Sequence, residues 1–316
     1  NTVREKWNLS TGFSFQRNDI SGRREGDVYT IIGDKYTRFP SDGERSFDEV
    51  NYSGRLTADY QLSENDLISL GLFAGKRTKD RTADILYYAN YAIISDIKYE
   101  FQYYNENLRI RKSDFVLGSL DYEHNFENKA ELTSSMLYEY TLLGGPTTNR
   151  NLGYPDNSII YQDEYNTNDN PLYGLRINLD YKFKPLSIGT LEMGYQYRNL
   201  DHTGDFIYER KNNATQIFEL IPDFSSEVNL KRSIHAGYLQ FNGSFEKWVF
   251  AMGLRLENME RELNLKDKTG FLDEDYSLGF TKLFPSASLN YEVNENTKIK
   301  LAYSKRIERT TTFKMN

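Results

Sequence analysis

Between Phe280 and Thr310 the chain alternates with a period of two in two consecutive arms. In the first arm Leu283, Pro285, Ala287, Leu289 and Tyr291 are apolar, while Ser286, Ser288, Asn290 and Glu292 are polar. In the second, Ile299, Leu301 and Tyr303 alternate with Lys298, Lys300, Ser304, Arg306 and Glu308. Successive strand side chains point to opposite faces, so this pattern predicts a β-hairpin with one apolar and one polar face, turning at Asn294-Glu295-Asn296. Strands of soluble sandwiches run about five or six residues, whereas these arms run about ten or more. Ten residues at roughly 3.3 Å each, tilted by about 45°, rise about 23 Å, close to the apolar band of an outer-membrane barrel.

The same rhythm recurs through the chain. Lys6 to Asp19 carries Trp7, Leu9, Phe13 and Phe15 on one face. Val50 to Leu62 and Leu67 to Lys79 form a hairpin about residues 63–66, with Tyr52, Leu56, Ala58, Tyr60 and Leu62 toward lipid and Asn51, Ser53, Arg55, Thr57, Asp59 and Gln61 toward a wet interior. Asp114 to Phe126 pairs with Ala130 to Leu142 about residues 127–129, and Leu172 to Phe183 with the strand holding Leu191, Met193, Tyr195 and Tyr197. Trp248, Phe250, Met252, Leu254 and Leu256 mark another outward face. For Ser233 to Phe245 the pattern leaves two registers open, because Ala236 and Tyr238 compete with Leu239 and Phe241 for the lipid side.

The sum is about eleven strands joined alternately by short turns and long inserts, the asymmetry of outer-membrane barrels. The long inserts, expected as extracellular loops, are residues 20–47, 80–107, 144–171, 201–231 and 261–278. The expected fold is therefore all-β, an antiparallel transmembrane β-barrel, with residues 1–316 as one partial barrel domain. Eleven antiparallel strands would close by a parallel pairing, whereas bacterial single-chain barrels have even counts, so the chain is expected to be an incomplete part of a larger barrel.

Composition narrows the function classes. Tyr 25 and Phe 19 against Pro 7 suit strands, and no stretch of about eighteen apolar residues predicts a transmembrane helix. Mean hydropathy of -0.70 is uninformative, since alternation hides apolar residues in the average. With Cys 0, disulfide scaffolds, thiolate zinc sites and iron–sulfur clusters are excluded. His124, His202 and His235 have no metal-ligand spacing, and no metal or cofactor is expected. The net charge of -7 is spread in both signs without a basic stripe, so nucleic acid is not an expected partner. The chain opens at Asn1 without a signal region, and is read as mature or internal sequence of an exported protein.

Three runs carry a family likeness. Trp248-Val-Phe-Ala-Met-Gly-Leu-Arg-Leu-Glu257, Leu283-Phe-Pro-Ser-Ala-Ser-Leu-Asn-Tyr291 and Leu301-Ala-Tyr-Ser-Lys-Arg-Ile-Glu-Arg309 resemble, in this order, strands of TonB-dependent outer-membrane receptors, and in particular their "outer membrane β-barrel protein" branch. Thr310 departs from that pattern, where Pro commonly follows. The resemblance implies a twenty-two-stranded barrel around an N-terminal plug with a TonB box, of which this chain would be the middle part without the plug. It implies TonB-dependent uptake of a scarce siderophore, glycan or peptide. The implied partners are the outer-membrane bilayer, the plug, a TonB-type energiser and, on the surface, a lipoprotein.

Candidate binding residues are the aromatic side chains of the long inserts, because exposed rings stack on sugars, siderophores or peptides: Tyr87, Tyr88, Tyr91, Tyr99, Tyr103, Tyr104, Tyr161, Tyr165, Phe206 and Tyr208. Their alternative role is packing between inserts and in the aromatic girdle at the membrane edge. Arg176, Arg198, Arg255, Glu257, Arg306 and Arg309 are expected on the interior, facing a plug or a substrate path, or pairing with one another. Gly71-Leu-Phe-Ala-Gly75-Lys76-Arg77 imitates a phosphate loop but is one residue short between its glycines and has Arg where Ser or Thr should hold magnesium. Asp201-His202 offers a general-base pair without a nucleophile elbow or a second His nearby. Asp163-Glu164, Asp169 and Asp273-Glu274-Asp275 lack the twelve-residue calcium-loop pattern. No reaction is expected. The rival readings are a passive or secretion-associated structural barrel, which absence of a plug upstream would favour, and a barrel hydrolase, which an active His202→Ala protein would exclude.

Overall fold

The computed structural model describes residues 2–306, with side chains from residue 5 onward. Its long strands are β2 (Trp7–Ile20), β5 (Ser46–Gln61), β6 (Asp66–Thr82), β8 (Ile97–Asn125), β9 (Glu131–Gly144), β11 (Ile160–Lys182), β12 (Gly189–Lys211), β14 (Ser226–Phe245), β15 (Trp248–Asp267), β16 (Asp273–Asn294) and β17 (Thr297–Ser304). Each pairs antiparallel with the next, giving a continuous wall of eleven strands. Among the described residues β17 pairs with β16 alone, and the edge of β2 carries only the short β1 (Thr2–Arg4), so the wall stands open.

The two faces differ as lipid demands. Register partners share a face, so the ladder sets Trp7, Tyr60 and Ile68, then Leu56 and Leu72, then Leu254, Pro285 and Leu239 in line on the apolar side. Phe13 is 78 % exposed and Leu239 48 %, whereas Ala236 and Glu257 on the other side are 1 % exposed. Curving a sheet crowds side chains on its inside, so the polar face is the inner one. Tilted ring pairs mark the short-turn margin of the outer band, Trp7 with Tyr60 at 4.4 Å and Trp248 with Tyr291 at 4.5 Å. Tyr140 with Tyr173 at 5.1 Å marks the opposite margin, as aromatic girdles do.

The register left open by the sequence is settled by β15. Leu239 faces Leu254 and Phe241 faces Met252, so these two take the lipid side, and Tyr238 turns inward opposite Arg255. Gly194 is what admits it: a Cβ there would come within 2.5 Å of the Tyr238 ring, which crosses β12 and donates its hydroxyl hydrogen bond to Asp180.

The long inserts differ from the loops expected. The insert at 20–47 is a hairpin, β3 (Arg23–Ile32) and β4 (Lys35–Glu44), and β7 (Ile85–Ile94) fits between β4 and β8. The insert at 144–171 holds β10 (Thr147–Leu152) between β8 and β11, and β13 (Phe218–Leu220) borders β12. Most of 201–231 and 261–278 is continued strand of β12, β14, β15 and β16. The one sheet therefore continues beyond the lipid band in the order β3-β4-β7-β8-β10-β11-β12-β13, built partly from the strands that cross it. Above the band no lipid enforces alternation, but the backbone still needs partners, and neighbouring strands supply them.

Face assignment sets the prediction here. Leu239→Arg, on the outer face near the middle of the band, is expected to cost about 2–4 kcal/mol of folding stability in lipid vesicles, while Gln240→Arg on the inner face costs less than about 1 kcal/mol. Urea titration of the protein folded into vesicles measures both.

Candidate functional site

At the long-connection end the inner face opens into a cavity of about 890 Å³. Its walls come from several neighbouring strands, with Arg77, Lys79 and Arg81 on β6, Arg109 and Arg111 on β8, Leu143 on β9, Thr147 on β10, Asn166, Asn168 and Asn170 on β11, and Phe206 on β12. Phe47 on β5 completes the rim. The basic residues meet because of register: Lys79 stands opposite Arg111 and Arg81 opposite Arg109, so residues two apart on each strand point inward together. Gly145, at φ +119°, forms the lip, where a Cβ would lie 2.2 Å from the Ile110 carbonyl oxygen, so no other residue fits.

Charge is unevenly satisfied. Glu49, nearly buried, accepts from Arg77 at 2.9 Å and Lys79 at 3.1 Å, and the Lys79 ammonium sits 3.5 Å from the Phe47 ring centroid. Among the described residues no carboxylate pairs with Arg81, Arg109 or Arg111. Partial burial, together with the Arg111 and Arg81 guanidiniums, holds Arg109 below the usual guanidinium range. Beyond the cavity the same face is lined with amides. Asn105 donates to Asn149 and Asn151, both at 2.8 Å, and Asn107 to Asn149 at 3.1 Å. Glu164 accepts from Asn149 and Arg210, each at 3.1 Å.

Deeper in the wall, polar side chains link across strands. Asn178 donates to Ser135 at 2.9 Å, Gln196 to Asn178 at 2.6 Å, and Arg255 to Gln196 at 3.0 Å and Glu257 at 3.3 Å. Arg255 and Glu257 sit on the inner face. Arg176 and Arg198 are register partners and line one small hollow with Arg232 and Glu139. Arg306 is exposed beyond β17, and Arg309 lies outside the described residues.

The aromatic candidates fall into two groups, on β7 with the start of β8 and on the tops of β11 and β12. Many pack on neighbours: Tyr87 stacks on Tyr103 at 4.8 Å, Tyr91 tilts on Tyr36 at 5.9 Å, Tyr165 meets Phe218 at 6.2 Å and Tyr208 meets Phe224 at 5.3 Å. Burial pushes the Tyr103 hydroxyl up to about 12. Tyr88, Tyr99 and Tyr161 are exposed, Tyr104 is partly buried on the face opposite the cavity, and Phe206 alone of the ten lines it. The cavity's basic residues went unread in the sequence. Their signal was there as Arg77, Lys79, Arg81 and Arg109, Arg111, spaced by two, but a loop boundary drawn at residue 80 cut through the first set.

The remaining motifs have structural partners. Gly71 and Gly75 lie within β6, with Phe73 turned inward against Phe115 at 4.9 Å. Asp201 and His202, adjacent in β12, point to opposite faces; Asp201 lies 4.0 Å from Lys231, while burial pushes His202 below its ordinary value. Asp163 neighbours Lys211 at 3.8 Å and Asp273 neighbours Lys266 at 3.5 Å. Among the described residues no group of three or more His, Asp or Glu side chains is arranged to hold a metal ion.

A family model described as "Outer membrane protein beta-barrel family" matches residues 124–316. The chain belongs to the outer membrane protein beta-barrel family. Its place is the bacterial outer membrane, which the lipid-exposed band requires. Among solved structures the chain is similar to the ferric citrate transporter FecA in its unliganded form, at TM-score 0.52 and 12 % identity over 95 % of this chain and 44 % of that one. It is also similar to the siderophore receptor PiuA from Acinetobacter baumannii, at TM-score 0.55 and 11 % identity over 96 % of this chain and 49 % of that one. At such identities the likeness is one of fold, and the chain spans less than half the length of either. No curated protein matches.

The inner-wall network of this family member yields a prediction. Arg255→Met takes one partner from the buried Glu257 carboxylate and is expected to cost about 1–3 kcal/mol. Adding Glu257→Gln is expected to recover more than half, which a double-mutant cycle of urea unfolding in vesicles measures.

Proposed function

We propose that this chain is barrel wall of an energy-coupled outer-membrane receptor, with its long-connection end outside the cell, where it captures a scarce ligand for import. The observation that carries this reading is the cavity: strands that cross the lipid continue upward and wall an inward-facing space of about 890 Å³, within the size range of small-molecule sites. The fold likeness to a ferric citrate transporter and a siderophore receptor supports it. By that resemblance a plug domain fills a barrel of twenty-two strands, a TonB-type energiser moves the plug, and a surface lipoprotein can lie above the mouth. A siderophore, a glycan or a peptide is the ligand class so implied. The exposed rings of Tyr88, Tyr99 and Tyr161 are the aromatic positions free to touch such a ligand, and Arg176, Arg198, Arg255 and Glu257 lie on the face a plug would meet. The chain itself breaks no bond in this scheme, and the work comes from the inner membrane.

The test is solute depletion from the medium by native cells, by cells lacking the gene, and by native cells given an uncoupler of the inner-membrane potential. The expected result is a solute removed by native cells alone, with uncoupled cells falling to the level of the deletion strain. Depletion that survives the uncoupler would identify a passive barrel, and identical media from all three would identify a structural one.

A further inference from the structure

We infer that the cavity at the long-connection end is a binding site for a small solute carrying several anionic groups. The inference deepens the receptor reading and rests on it for the direction in which the ligand travels, but its own evidence is the cavity's charge. Five basic residues at inward-facing positions, Arg77, Lys79, Arg81, Arg109 and Arg111, line the space, Lys112 borders it as a sixth, and no Asp or Glu lies among the residues lining it. The nearby Glu49 engages two of the five, Arg77 and Lys79, and so fixes one edge of the cluster. Arg81, Arg109 and Arg111 remain as neighbouring cations across the β6–β8 ladder, with no carboxylate between them among the described residues. Like charges directly opposite in a sheet are destabilising, and placing them in a partly enclosed space raises that cost. An anion relieves it.

The strand lattice sets the ligand's dimensions. Side chains directly opposite are about 5 Å apart and those two apart along a strand about 7 Å. A complementary solute therefore carries anionic groups roughly 5–7 Å from one another, as polycarboxylates, oligophosphates and sulfated sugars do. Guanidinium forks suit all three, since each presents paired oxygens. Asn166, Asn168 and Phe206 on the opposite wall offer amide hydrogen bonds and a ring edge to the ligand's uncharged body. The location excludes a headgroup of the surrounding lipid as the natural occupant, because these side chains stand on the inner face, opposite in pleat to the lipid-facing Leu70, Leu72 and Ala74.

The experiment is titration calorimetry on the full protein in an uncharged detergent, with benzene-1,3,5-tricarboxylate, inorganic tripolyphosphate and a sulfated disaccharide as probes and glucose as the neutral control. At least one probe is expected to bind, with affinity falling as sodium chloride is raised. The R81Q/R109Q/R111Q protein is expected to lose roughly tenfold or more of that affinity while its thermal midpoint stays equal or rises, because unpaired like charges have been removed. Lys266→Gln, at a distant strand tip, is the control expected to bind as the unaltered protein does. The probe that binds tells carboxylate from phosphate from sulfate. The inference is overturned if no probe binds more tightly than glucose, or if the triple variant, still folded by its heat-dependent gel migration, binds the probe unchanged. Failure of the receptor reading looks different: polyanion binding would persist while solute depletion ignored the uncoupler.

Discussion

A peptide group in hydrocarbon has no water to bond, and this one constraint dictates the wall. Every amide that crosses the lipid must find its partner on an adjacent strand, so the chain runs up and down in register without a gap from β2 to β17. Because side chains then alternate strictly, one face is surrendered to lipid and the other is free for polar chemistry. The Asn178, Gln196, Arg255 and Glu257 chain and the cavity above it are both uses of that second face.

How much of this was readable in advance follows from where lipid acts. Within the band, alternation is enforced, and the strands carrying Leu175 to Phe183 or Trp248 to Leu256 announce themselves. The short turns do the same, since they are polar and brief. The exception inside the band, Tyr238, is instructive. Its ring looks like a lipid-facing residue, but its hydroxyl has a carboxylate to reach at Asp180, two strands away, and Gly194 on the strand between clears the way. Tertiary context, invisible in a one-strand pattern, decided the face.

Beyond the band the pattern dissolves, and with it the legibility of the fold. Pro171 and the surrounding Gly and Asn residues read as a loop, yet β11 runs through them. The ladder to β12 simply omits Asn170 and Pro171, and the strand resumes at Leu172. The aromatic residues of 85–104 were visible as a group, but their mutual packing was not, because stacking of Tyr87 on Tyr103 depends on a bulge between Tyr87 and Asn90. The cationic wall was the more informative feature and the less conspicuous one. Arg77, Lys79 and Arg81 become a cluster only when β8 brings Arg109 and Arg111 alongside.

The length of β8 bears on how such a mouth can behave. A single strand of 29 residues passes from the short-turn margin through lipid and far above it, hydrogen-bonded for most of its course to β6 and β9 below and to β7 and β10 above. Such a rim is a stiff collar, continuous with the wall it surmounts, and not a set of hinged flaps. The cavity there has walls whose shape is held by the same lattice that crosses the lipid.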